Sequence, residues 1–157
     1  MPKPQSTVPA LPRFFVPGLP AAEGALVRAA RLWFRRRPHA AQVLPVIREM
    51  LLGAGLPEAA PMPLAAFLGA FAAARQPLRA LPIDHDAIGD DERTLLAALT
   101  ALQHYRHDEA AALLDRWLPI VPLCLALESG GELTRLLWDA GIALNIPPHP
   151  HVLAAAE

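Results

Sequence analysis

At 157 residues, with 54% of its side chains drawn from the AVILMFWYC set and only 18% charged, the chain is too apolar and too weakly charged to stay disordered, and its size suits one domain. A formal net charge of −1 and a pI near 6.6 exclude a general attraction to phosphate. The longest uncharged apolar run, residues 61–74, is shorter than the roughly 20 residues a membrane crossing needs, and prolines interrupt the apolar stretches before residue 21, so neither a span nor a secretory signal is expected and the address reads as cytoplasmic.

Alanine and leucine prevail over the β-branched residues, which favours helix over strand. The expectation is an all-α, compact single-domain bundle of five to seven helices, divided into an extended proline-rich N-terminal arm (1–20), a helical domain (21–144) and a C-terminal tail (145–157). Residues 21–37 predict a first helix, with Leu26, Ala30 and Trp33 on an apolar stripe, Arg28, Arg31 and Arg35 on the other side, and Pro38 as its stop. Residues 41–52 predict a second, with Pro45 near its first turn and Gly53 and Gly55 closing it. Leu64, Phe67, Leu68 and Phe71 recur at helical spacing up to Arg75, and the scarcity of polar positions there predicts a central, largely buried helix.

Asp90, Asp91 and Glu92 mark the next helix start, because acids favour the positive end of the helix dipole; Leu95, Leu96, Leu99 and Leu102 form its stripe. Asp108 is suited to cap a following helix carrying Ala110, Leu113, Leu114 and Trp117, which together with its predecessor makes a hairpin. Residues 120–144 are helical in pattern on either side of Gly130 and Gly131, as one broken helix or two, with Leu133, Leu136, Leu137 and Ala140 on one face. Cys124, the sole cysteine, sits in an apolar run and reads as a small buried hydrophobe, and Trp33, Trp117 and Trp138 all read as core.

The charges divide. Residues 1–80 hold ten basic side chains against three acidic, or +7, and residues 81–157 hold twelve acidic against four arginines, or −8. Opposed halves imply faces that pair within the fold or between copies. The sharper reading makes the basic first helix, with Arg28, Arg31, Arg35, Arg36 and Arg37, a patch for nucleic acid or an acidic partner. Asp84, His85 and Asp86 followed by Asp90, Asp91 and Glu92 offer oxygen ligands to a hard cation, with His85 and Asp86 as the alternative metal pair, but they lack the spacing of a calcium loop and also read as capping chemistry. His104 and His107 read as solvated turn residues, and His149 and His151 sit in the tail. The only serines, Ser6 and Ser129, suggest no catalytic set, and no phosphate-binding glycine loop is present.

Residues 96–118, including Ala-Leu-Gln-His-Tyr-Arg-His-Asp-Glu-Ala, resemble the join between the two helices of one tetratricopeptide unit, not a repeat array. Residues 75–103 resemble a segment of small uncharacterised helical proteins of alphaproteobacteria, in which a proline- and cysteine-rich loop precedes Leu-Gly-x-Asp-Glu and a leucine-rich helix. Here Pro77 and Leu78 open the loop, Ile88, Gly89, Asp90, Asp91 and Glu92 fill the later slot, and Asp84, His85 and Asp86 stand where the cysteines of that group fall. The resemblance implies architecture and a bacterial cytosolic setting, and no activity.

The functional expectation is a non-catalytic protein-interaction or accessory module with no cofactor, docking through charged faces and helix grooves. Its expected contact residues are Arg28, Arg31, Arg35 and Arg36 on the basic side, Asp84, Asp86, Asp90 and Asp91 on the acidic side, and Phe14 and Phe15 in the arm, the partner being another protein or a second copy. The competing classes are a nucleic-acid-binding regulator and a metal-binding protein or metal-dependent enzyme.

Overall fold

The computed structural model describes residues 16–35 and 40–147, and these residues form a short 3₁₀ turn, Val16–Gly18, followed by six α-helices: α1 (Ala21–Arg35), α2 (Ala40–Gly53), α3 (Pro61–Gly69), α4 (Asp90–Gln103), α5 (His107–Leu114) and α6 (Ile120–Asp139). A 3₁₀ turn, Ala70–Ala73, extends α3. There is no β-strand among the described residues, and none of their helices is long and apolar enough to cross a membrane.

The most enclosed helix is α4, not α3: every residue of α4 except Asp90 and Arg93 is buried. An unbroken apolar sequence from Leu95 to Leu99, with small Ala97, Ala98 and Ala101, lets neighbours approach from all sides, as a helix apolar around its circumference requires. α1, α5 and α6 pack against α4, and α3 packs along α6. Phe71 joins these layers, its ring meeting Phe34, Phe67 and Trp117 edge to face at centroid distances of 5.8, 5.9 and 5.8 Å.

α6 runs unbroken through Gly130 and Gly131. Gly130 faces the core, where a Cβ would stand 2.7 Å from Leu102 Cδ1 and 3.1 Å from Phe67 Cδ2, so the close approach of α6 to α4 and α3 offsets the roughly 1 kcal/mol by which glycine weakens a helix. Gly131 meets nothing within 4 Å. α2 starts at Ala40, placing Pro45 inside the helix beyond its first turn. Asp108 lies within the first turn of α5, whose N-cap is Arg106.

Both ends of the described residues lie on the domain. Val16 is buried and its N–H donates to the Asp86 carbonyl at 2.6 Å; Phe14 and Phe15 fall outside the described residues. Beyond α6 the chain turns back along α4, burying Leu144 and Ile146. Gln103 fastens this return: its amide donates to the Thr134 and Ile142 carbonyls at 3.2 and 2.9 Å and accepts the Leu144 N–H at 2.6 Å. Thr100 Oγ1 accepts the Ile146 N–H at 3.3 Å, and Arg93 Nε donates to the Pro147 carbonyl at 3.0 Å.

Candidate functional site

Residues 74–89 connect α3 to α4 with only turns and an isolated β-bridge position at Ala87, and the backbone groups of so long a connection need partners. Arg31 and Glu92 supply several of them. Arg31, whose spacing places it with Arg28 and Arg35 on a solvent-facing side, is instead 1% exposed and opposite Glu92 at 2%. Its Nε and Nη2 meet Glu92 Oε2 and Oε1 at 2.7 and 2.9 Å, while Nη1 and Nη2 donate to the His85 and Ala87 carbonyls, both at 2.6 Å. The Glu92 carboxylate also accepts the Gly89 N–H at 2.9 Å, which caps α4, and the Leu81 N–H at 3.1 Å. Two buried opposite charges with this many hydrogen bonds overcome their desolvation, whereas either alone would not.

The acidic run serves the same loop. Asp91 is buried, accepts the Arg79 N–H at 2.8 Å and meets Arg116 at 3.3 Å. Arg31 and Asp91 are therefore unavailable as docking contacts, which corrects the expectation for both. Arg28, Arg35, Asp84, Asp86 and Asp90 are exposed, and Arg36 lies outside the described residues. His85 is exposed with Nδ1 accepting the Ala87 N–H at 3.1 Å, and no group of three or more His, Cys, Asp or Glu among the described residues is placed to hold a metal ion.

Glu23, in the first turn of α1, is also buried, and its Oε1 accepts the Asn145 N–H of the returning tail at 2.8 Å. Burial pushes its carboxyl pKa above the ordinary value, opposed by that hydrogen bond.

The outer face of α6 presents the least covered apolar surface. Ile120 is 72% exposed, Val121 66% and Leu125 55%, with Cys124 exposed among them, so this cysteine is not the buried hydrophobe expected. Val121, Leu125, Glu128, Glu132, Arg135 and Asp139 follow one another at alternating steps of four and three residues, the spacing of a coiled-coil seam. The opposite face carries the buried Leu123, Ala126, Gly130, Leu133 and Leu137. Neither Glu128, Glu132 nor Arg135 forms an ion pair among the described residues.

At the C-terminal end of this seam lies a cavity of about 350 Å³ between the end of α4 and α6. Trp138, expected in the core, is 57% exposed at its edge, its ring 6.3 Å from that of His104. Tyr105 is 81% exposed and sits at φ 60°, in the left-handed region where glycine ordinarily ends a helix. The closing hydrogen bonds are intact, Tyr105 N–H to Leu102 O at 3.2 Å and Arg106 N–H to Ala101 O at 2.8 Å. A side chain held at positive φ costs about 1–2 kcal/mol, and the exposed ring recovers little of it by packing. Gln103 and Thr134 form part of the cavity lining with their polar groups already bonded internally, leaving Glu128, Arg135 and Asp139 as the charged groups around it.

No family model matches this chain, and no curated protein or solved structure is significantly similar to it. Sequence reasoning missed the α6 seam and the end cavity. The four-three spacing from Val121 to Asp139 was a usable signal for the seam; the left-handed Tyr105 had none, since tyrosine is not a residue that announces positive φ.

Proposed function

We propose that this chain is a non-catalytic protein-interaction module whose docking surface is the outer face of α6, and that its occupant is an amphipathic helix of a different protein. The observation that carries this reading is the exposed seam: Val121 and Leu125 first, then Glu128 and Glu132, along a helix of 20 residues or about 30 Å. A partner helix with apolar residues opposite the first and basic residues opposite the second satisfies both.

A second copy fits this seam less well. Full antiparallel self-pairing sets Glu128 against Glu132, Val121 against Asp139 and Leu125 against Arg135, while parallel pairing sets each glutamate against itself. The charge pattern favours a basic, heterologous helix. A nucleic-acid role has less support, since Arg31 is withdrawn from the first-helix patch and the α6 face is acidic.

The test uses the exposed thiol. Cys124 carrying a benzophenone cross-linker is expected to capture a protein segment that mass spectrometry maps to a helix with apolar and then basic seam positions, with capture lost on Val121→Asp and weakened by salt. Cross-linking solely to a second copy, solely to nucleic acid, or to nothing overturns the proposal.

A further inference from the structure

We infer that the cavity between Tyr105 and Trp138 is a binding site for a cationic side chain, a guanidinium or alkylammonium group, presented by the partner segment that lies along α6. The inference rests on the docking face proposed above and specifies what its C-terminal end recognises.

Three features converge. First, two large aromatic side chains, Tyr105 and Trp138, stand exposed at the cavity, and aromatic faces attract organic cations. The same attraction is already used within this fold, where the Arg116 guanidinium carbon lies 4.6 Å over the Trp117 ring. Second, Glu128 and Asp139 place two carboxylates around the opening against one arginine, Arg135, so that with the lining His107 neutral the local charge favours a cation and the site continues the acidic part of the seam. Third, Tyr105 is held at φ 60° with its ring in solvent. Within the domain its ring meets only that of His107, edge to face at 6.3 Å, a contact between two exposed residues that both line the cavity, and glycine would close α4 without strain; a ring that contacts a ligand accounts for the residue. The volume of about 350 Å³ admits a whole long side chain and not a second helix. The lining amide of Gln103, already bonded to Thr134, Ile142 and Leu144, is fixed in place and has little to offer a neutral polar ligand, which leaves charge and ring contact to decide what binds.

The indole N–H signals of the intact protein provide the readout, because Trp33 and Trp117 are buried and Trp138 is exposed. The probes are N-acetyl-arginine methylamide and its neutral isostere N-acetyl-citrulline methylamide. Arginine is expected to shift the Trp138 signal saturably and citrulline to leave it unmoved at the same concentration. Glu128→Gln is expected to weaken the arginine response about fivefold or more, while Arg135→Gln strengthens it. Tyr105→Gly separates ligand contact from fold: it is expected to abolish the response while raising the thermal midpoint or leaving it unchanged.

Equal shifts with arginine and citrulline, no shift with either, or a full response in Tyr105→Gly overturns the inference. Because these probes act without a partner, a null titration removes the cavity and leaves the α6 seam to its own cross-linking test. A positive titration with failed cross-linking would remove the seam and, with it, the assignment of the cation to a partner segment.

Discussion

Replacing Arg31 by methionine distinguishes a loop-fastening arginine from a docking one. Methionine keeps much of the aliphatic volume but removes four hydrogen bonds, two to Glu92 and two to the carbonyls of His85 and Ala87. Glu92, 2% exposed, is then left with only the Gly89 and Leu81 N–H groups to hold its charge. Removing one partner from a buried ion pair typically costs about 3–5 kcal/mol, a large share of the roughly 5–15 kcal/mol by which domains are stable. At about 2–4 °C per kcal/mol for a chain of this length, the thermal midpoint should fall by on the order of 10 °C. Urea unfolding followed by circular dichroism measures the loss, and amide exchange at Leu81 and Gly89 should quicken as the loop, no longer held by Arg31 at the His85 and Ala87 carbonyls, opens more often. A solvent-facing arginine would cost no more than about 0.5 kcal/mol. A loss below about 1 kcal/mol with loop protection unchanged would refute the buried network.

Three further outcomes follow from the same contacts. Gly130→Ala is expected to destabilise, because overpacking costs about 1–3 kcal/mol against roughly 1 kcal/mol gained in helix propensity, whereas Gly131→Ala, with open space beside it, should stabilise by about 0.5–1 kcal/mol; equal effects in chemical denaturation would contradict the close contact with Leu102 and Phe67. Glu23 has a folded-state pKa raised by burial, so between the unfolded value and the raised one the folded protein holds more protons, and stability falls as pH rises through that window. Glu23→Gln should remove that downward limb without loosening the tail, since its amide oxygen can still accept the Asn145 N–H; a limb that persists in the variant would assign it to another group. Cys124 should react with a thiol reagent in the native protein at the rate of an open thiol, and protection until unfolding would place it inside.

The helices were legible in the sequence because their signals are local. Asp90, Asp91 and Glu92 start α4 where acids meet a helix dipole, and Leu95, Leu96, Leu99 and Leu102 are all buried. What was not legible is which side of a helix faces in. Arg28, Arg31 and Arg35 share a stripe by spacing, yet Arg31 is enclosed and the other two are not, because the loop from beyond α3 closes over it with the His85 and Ala87 carbonyls and the first turn of α4 supplies Glu92 from 61 residues away. Periodicity places residues on a common face without saying what covers that face. Trp138 shows the converse: it continues the stripe of α6 in sequence, but that helix is apolar on more than one side, and only one side is met by neighbours.

The position of Gly130 explains why the seam is left open. A helix with Leu123, Leu133 and Leu137 on one side and Val121 and Leu125 on another could have turned either toward the core, since both sets are large and aliphatic. The inward choice is made where α6 crosses α4 and α3, where a Cβ would press on Leu102 Cδ1 at 2.7 Å and Phe67 Cδ2 at 3.1 Å and glycine fits without displacing either; Gly131, on the adjoining side, meets nothing within 4 Å. Once Gly130 is seated against Leu102 and Phe67, helical geometry directs Val121 and Leu125 outward on the same rod as Trp138, which lies about 26 Å beyond Val121, with Glu128 and Glu132 between them. Core packing thus favours their exposure, and turning the seam inward would give up the Gly130 contact. A surface fixed in this way is pre-organised, so a partner helix would meet it without first reordering the domain.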